Sequence, residues 1–185
     1  VPIWDLGPLL FAAQWNSAID AFVRHGRADD FEALAKRSSS ERQAALPGDA
    51  DRASREVAGY PRKVGEAARR LADDLVCLRL KAVQTTSAPA LAGLLDGRHA
   101  DARAQLERDF PPLWDTLGRV EGEVRKIGTA EPLTPLAVSS HMELARLYLR
   151  TERYAELTAT LREGLAHYAH QAMGTKRDPS SEAGD

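Results

Sequence analysis

Residues 61–83 read Pro-Arg-Lys-Val-Gly-Glu-Ala-Ala-Arg-Arg-Leu-Ala-Asp-Asp-Leu-Val-Cys-Leu-Arg-Leu-Lys-Ala-Val. Val64, Ala67, Ala68, Leu71, Leu75, Leu78, Ala82 and Val83 recur there at the spacing of one helix face. That stripe predicts a long helix of about 25 residues beginning after Pro61. Arg62, Lys63, Arg69, Arg70 and Arg79 lie near or beside it. The same spacing recurs along most of the chain, and no short run has the alternation and β-branched richness of a strand. The expected fold class is therefore all-α: an irregular helical bundle of antiparallel hairpins with a disordered C-terminal tail.

Towards the N-terminus, Gly7-Pro8 opens a first helix, because proline suits the first helical turn, and Gly26 closes it, because glycine takes a left-handed conformation cheaply. Its inward stripe is Phe11, Trp15, Ala18, Ile19, Phe22 and Val23. Asp29 and Glu32 have the spacing of a capping box and start a second helix carrying Phe31, Leu34 and Ala35. From Ser38 to Pro61 large apolar residues are few, and Ser38-Ser39-Ser40 and Pro47-Gly48-Asp49 predict a frayed helix end and a loop.

Towards the C-terminus, short helices are expected around Leu91 to Leu95 and Ala102 to Phe110, the latter stopped by Pro111-Pro112. A further helix runs from Leu113 to Gly128. Thr134-Pro135 then starts a helix with Leu136, Met142, Ala145, Tyr148 and Leu149 on one face. After a turn at Thr151-Glu152-Arg153, Tyr154, Leu157, Leu161, Leu165 and Tyr168 continue down a returning helix. From Gly174 onwards the composition is too polar to offset its ordering entropy, which predicts a disordered tail. The first and last hairpins loosely share a tetratricopeptide-like pattern, but its period does not recur in between, so an irregular bundle is the better reading.

The 185 residues suffice for one domain with a real core. With 27 acidic against 25 basic side chains, the chain lacks the overall basic surplus of a dedicated duplex-DNA binder. Its single cysteine excludes an internal disulfide and a cysteine-based zinc site, and fits a reducing, cytoplasmic compartment. The longest uncharged stretch, Leu6 to Ile19, is too short to span a bilayer, and no basic segment precedes it as in a secretory signal. No membrane partner is expected.

Asp29-Asp30 and Asp73-Asp74 lack the third carboxylate that would complete a magnesium site, and read as a helix start and a solvated face. No Glu-x-x-His occurs, which excludes the di-iron pattern. Glu163 and His167 lie one turn apart and read as an exposed ion pair, while Cys77 reads as a small buried hydrophobe. Neither a metal nor a cofactor is predicted. Arg162 and His167 have the Arg-x4-6-His spacing of HEPN ribonucleases, in which the cation meets phosphate charge and the imidazole moves protons. With 20 arginines and five histidines, chance alone supplies about 1.6 such spacings. Glu163 also occupies the position directly after the arginine, where that family usually carries a polar residue.

The opening Val1-Pro2-Ile3-Trp4-Asp5-Leu6, followed by Gln14-Trp15-Asn16-Ser17-Ala18, Phe22 and the Gly26 turn, resembles the helical segment after the CARF domain in CRISPR-associated DxTHG-motif proteins. Leu144-Ala145-Arg146-Leu147-Tyr148-Leu149, Tyr154-Ala155-Glu156-Leu157 and Leu161-Arg162-Glu163-Gly164-Leu165 resemble that family's later hairpin. The likeness covers about 170 residues through short, mostly structural motifs. It implies that residues 1–6 end an upstream strand or linker, 7–173 form a helical HEPN-like domain and 174–185 are the tail.

It further implies type III CRISPR antiviral defence, a homodimer and single-stranded RNA as substrate. Cyclic oligoadenylate would be sensed only through a CARF domain absent from this chain, since Asp-x-Thr-His-Gly does not occur in it. If the region is catalytic, the implied activity is metal-independent endoribonuclease cleavage by Arg162 and His167, although the family's catalytic motif normally follows this hairpin. The alternative is a non-catalytic tetratricopeptide-like scaffold for dimerisation or partner docking.

Overall fold

The structure is a computed structural model that describes residues 6–96, 100, 102–104, 118, 121–122, 124–125 and 135–174. The fold is all-α, with no strand among the described residues. In order come α1 (Gly7–His25), α2 (Asp29–Ala44), α3 (Arg52–Val76), α4 (Leu80–Ala82), a π-helical turn (Val83–Ser87), α5 (Ala88–Leu95), α6 (Pro135–Arg150) and α7 (Tyr154–Gly174). Of the expected linker 1–6 only Leu6, and of the expected tail 174–185 only Gly174, the last residue of α7, is among the described residues, and most of the region expected to form helices from 102 to 128 lies outside them. No described helix is long and apolar enough to cross a membrane.

The first hairpin follows its sequence closely. Trp15, Ala18, Ile19 and Phe22 are buried, and Phe11 and Val23 pack against them. Gly26 closes α1 at φ 63°, its N–H donating to the Phe22 carbonyl at 2.9 Å. The capping box does not form. Asp29 is itself the first helical residue, and its carboxylate turns to Arg69 on α3, a charge-assisted partner that competes with the local backbone. Asp29, Asp30 and Glu32 still place negative charge at the positive end of the α2 dipole.

The expected break from Ser38 to Pro61 shrinks to residues 45–51. α2 continues through Ser38 and Ser39, both buried, and Ser39 Oγ donates to the Ala58 carbonyl across the interface at 2.9 Å. α3 starts nine residues before Pro61, where the Asp51 carboxylate accepts from the Ser54 N–H at 2.7 Å, a bond that lowers the Asp51 pKa. Pro61 is buried inside the helix. An interior proline costs about 3 kcal/mol, and packing on both sides offsets it. Gly65 allows the close approach, since a Cβ there would lie 2.6 Å from the Ala35 Cβ.

α3 also ends early, at Val76. The Arg79 N–H reaches the Asp74 carbonyl at 2.9 Å and the Leu78 N–H reaches Leu75, with Leu78 left-handed at φ 53°. This six-to-one closure normally recruits glycine, so a leucine hid it from the sequence. Two expectations fall with it. Cys77 is exposed at the helix end, and Leu78 leaves the buried stripe. Val83 is buried as the stripe predicts, and Gln84 and Ser87 join it from the π turn.

α3 is the central element. The Tyr60 hydroxyl donates to the Leu94 carbonyl at 2.5 Å, tying α3 to α5, and the Tyr148 hydroxyl donates to the Leu75 carbonyl at 2.9 Å, tying α6 to the end of α3. Burial pushes the pKa of both phenols up to about 12.

Candidate functional site

The sequence directs attention to α7, and the geometry of that helix sorts its residues into three strips. Thr160, Gly164 and His167 turn towards α6. Leu161, Leu165 and Tyr168 lie on one flank, and Arg162 and Glu163 on the other. This order follows from about 100° of rotation per residue.

The α6–α7 turn is built as α3 ends. Arg153 N–H reaches the Tyr148 carbonyl at 2.8 Å around Glu152, which is left-handed at φ 58°. The Arg153 guanidinium pairs with Glu156 at 2.8 Å and lies 5.7 Å from the centre of the Tyr148 ring. It also lies beside Gly26, where a Cβ would come within 3.2 Å of the guanidinium. The turns of the first and last hairpins therefore meet, around a small cavity of about 40 Å3 bordered by Phe22, Leu71, Leu75 and Tyr148.

His167 packs on His141 of α6, with ring centres 5.1 Å apart and planes tilted by 35°. His141 is buried, and the absent side chain of Gly164 makes room for it, since a Cβ there would lie 3.1 Å from the His141 Cβ. The His167 Nδ1 is buried without a hydrogen-bond partner. The expected Glu163–His167 ion pair is absent from the salt bridges of the described residues, and Glu163 lies 4.0 Å from Arg162 instead. His141 was missed as a neighbour because only the register of the folded hairpin brings it opposite Gly164.

Arg162 points away from this pair. Its side chain is 82% exposed, and five residues of helix separate it from His167 by about 140° around the axis. One protomer therefore does not bring Arg162 and His167 together on one face. Arg162 instead borders a groove with Arg79 and Lys81.

No family model matches the chain, and neither a curated protein nor a solved structure matches it. Chemistry must therefore be argued from the side chains. Among the described residues no three metal-ligating side chains cluster, and two imidazoles fall short of the four ligands of a structural zinc site. The other flank of α7 is apolar: Leu161, Leu165 and Tyr168 are exposed beside Met142 of α6, and with Val138 they border a cleft of about 310 Å3.

Proposed function

We propose that this chain is the helical, HEPN-like region of a CRISPR-associated CARF-family protein acting in antiviral defence. The supporting observation is the joint between its two resemblance-bearing stretches. Residues 14–26, which are most of α1 and its closing turn, and residues 144–165 of the last hairpin are far apart in sequence, and their turns meet at Gly26 and Arg153. The shared motifs thus belong to one packed unit rather than to two unrelated helical segments. Trp15, Phe22, Ala145 and Tyr148, all quoted for the likeness, are buried in it.

The chemistry that goes with this reading is cleavage of single-stranded RNA without a metal. The 2′-oxygen attacks the adjacent phosphorus and the 5′-oxygen leaves, so one proton departs the nucleophile and another reaches the leaving group. A histidine can move those protons and an arginine can meet the growing charge on the phosphoryl oxygens. Because Arg162 and His167 diverge on α7, a shared centre would take the arginine of one protomer and the histidine of its partner.

The test is degradation of labelled single-stranded RNA by the purified chain. Wild type is expected to cleave, and His167→Ala to lose at least about 100-fold in rate. Unchanged cleavage in that variant removes His167 from the mechanism. Complete inactivity of the wild-type homodimer removes catalysis from this segment. An upstream coding sequence for a parallel-sheet domain carrying Asp-x-Thr-His-Gly is the expected companion, and would be the source of cyclic-oligoadenylate control.

The second reading, a non-catalytic scaffold, is favoured by one specific observation: Tyr168 is exposed in a continuous apolar strip with Met142, Leu161 and Leu165. Strips of this kind mark interaction surfaces. The two readings converge on dimerisation and separate on RNA cleavage.

A further inference from the structure

We propose that His141 of α6 and His167 of α7 form an open binding site for a divalent transition-metal ion such as Zn2+. Their ring centres lie 5.1 Å apart, with planes tilted by 35°. Two imidazoles on one tetrahedral ion, each bound through a nitrogen about 2.0 to 2.1 Å away, place their ring centres about 5 Å apart. The pair therefore already has the spacing that a shared ion imposes, and neither helix has to move.

A stranded polar atom marks the pair as more than packing. The His167 Nδ1 is buried without a hydrogen-bond partner. Leaving such an atom unsatisfied is costly, and a missing ion or water is one of the few ordinary reasons for finding one. His141 is buried and has a further interaction in the fold. That suits a metal-ligating histidine, which ordinarily keeps a partner on its other ring nitrogen. The hairpin builds the site as well. Arg153 N–H bonds the Tyr148 carbonyl at 2.8 Å and fixes the register of α7 on α6. Gly164 leaves room for His141, since a Cβ there would lie 3.1 Å from the His141 Cβ. His167 is only half-buried, which gives an ion and its waters a way in.

The donor set selects the ion. Imidazole suits zinc, copper and nickel, whereas magnesium and calcium take oxygen ligands. Among the described residues no third histidine, cysteine, aspartate or glutamate joins the pair. Water fills the remaining positions, so the site is open and exchangeable rather than structural. With half the ligands of a structural zinc site, its Kd should be on the order of 10⁻⁵ M. The bound ion ties α6 to α7 and stiffens the hairpin that carries the exposed apolar strip. In the ribonuclease reading it also withholds His167 from proton transfer. The site itself rests on the histidine geometry and stands whether or not the chain cleaves RNA.

The experiment is isothermal titration of the full chain, stripped of metal by a chelator, with Zn2+ alone and, in parallel, with Mg2+. Wild type should bind one Zn2+ and no Mg2+, and its melting midpoint should rise with Zn2+ concentration. His141→Gln and His167→Gln should each weaken Zn2+ binding at least about tenfold and remove that rise. His141 is buried, so its variant can lose binding by unfolding. His167→Gln, at a half-buried position, decides the matter, and an unchanged melt without metal shows that its fold is intact. His170→Gln and Cys77→Ser, at exposed positions, should bind as wild type. Zn2+ held equally by wild type and His167→Gln would mean an adventitious ion only and would overturn the proposal. Absence of Zn2+ binding to wild type, loss of binding in His170→Gln or Cys77→Ser, or equal binding of Mg2+ would overturn it too.

Discussion

The first and last hairpins carry similar apolar patterns, yet only the first is covered on both helices. In α1 and α2, Trp15 meets Phe31 edge-on at 5.6 Å and Phe22 stacks on Phe31 at 6.1 Å, while α3 lies along α2 through the Ala35–Gly65 contact. In the last hairpin α6 buries Leu144, Ala145 and Tyr148, whereas α7 leaves Leu161, Leu165 and Tyr168 exposed. The difference lies in what packs on each hairpin. A stripe at helical spacing announces a face that gains by being covered, and it does not name the cover.

The sharpest way to break this comparison is to truncate an aromatic in each hairpin. Trp15 is 3% exposed and Tyr168 is 59% exposed. Trp15→Ala should lower unfolding free energy in urea by about 3 to 5 kcal/mol. Tyr168→Ala in the monomeric chain should change it by no more than about 0.5 kcal/mol. A large loss from Tyr168→Ala would mean that α7 is covered within one protomer after all.

The glycine seams come next. Gly65→Ala brings a methyl to 2.6 Å from the Ala35 Cβ, and neither helix can yield by rotating a side chain. The expected loss is about 1 to 3 kcal/mol. Gly164→Ala meets the His141 Cβ at 3.1 Å, a milder conflict that a small shift of α6 relieves, and its loss should be smaller. Thermal melts of the two variants compare the rigidity of the seams directly.

Which parts of the fold were legible follows from how their signals are written. Gly7-Pro8, Gly26 and the Trp15–Phe22 stripe are local and redundant, so α1 was readable to within a residue. The start of α3 was available in Asp51 and Ser54, but few large apolar residues follow, and Pro61 outweighed them. The stop at Leu78 had no glycine to announce it. Arg162 and His167 were read from spacing, and spacing along one helix already puts them on different sides. The Arg79–Lys81–Arg162 groove was invisible for the opposite reason, since its residues are far apart in sequence and meet only across α4 and α7.

The tyrosine anchors test the packing around α3, which Tyr60 ties to α5 and Tyr148 ties to the last hairpin. Tyr60→Phe and Tyr148→Phe each remove a hydroxyl that satisfies a helix-end carbonyl, at Leu94 and Leu75, and each should cost about 1 kcal/mol. Burial holds both phenols neutral with folded pKa values of about 12, against 10.0 when unperturbed. The neutral form is the one the fold favours, so this stabilisation is complete below pH 10 and is lost as pH rises through 12. Denaturation midpoints measured from pH 8 to 12 should fall in wild type, and fall less steeply in the double phenylalanine variant.

The smallest effect on stability should come from the exposed α7 strip, and there the change should appear in assembly instead. Leu165 is 68% exposed, so Leu165→Glu removes little buried apolar area and should shift the unfolding free energy of the monomer by about 0.5 kcal/mol or less. If a second copy covers the strip, the same substitution places a charge in an apolar contact, where burial without a partner is strongly unfavourable. Sedimentation velocity should then show wild type as a dimer and Leu165→Glu as a monomer at the same concentration. Lys36→Glu, at an exposed position of α2, controls for the introduction of a negative charge and should leave the dimer intact. A dimer that survives Leu165→Glu would move the interface away from α7, leaving the strip for a different protein partner and favouring the scaffold reading over the ribonuclease.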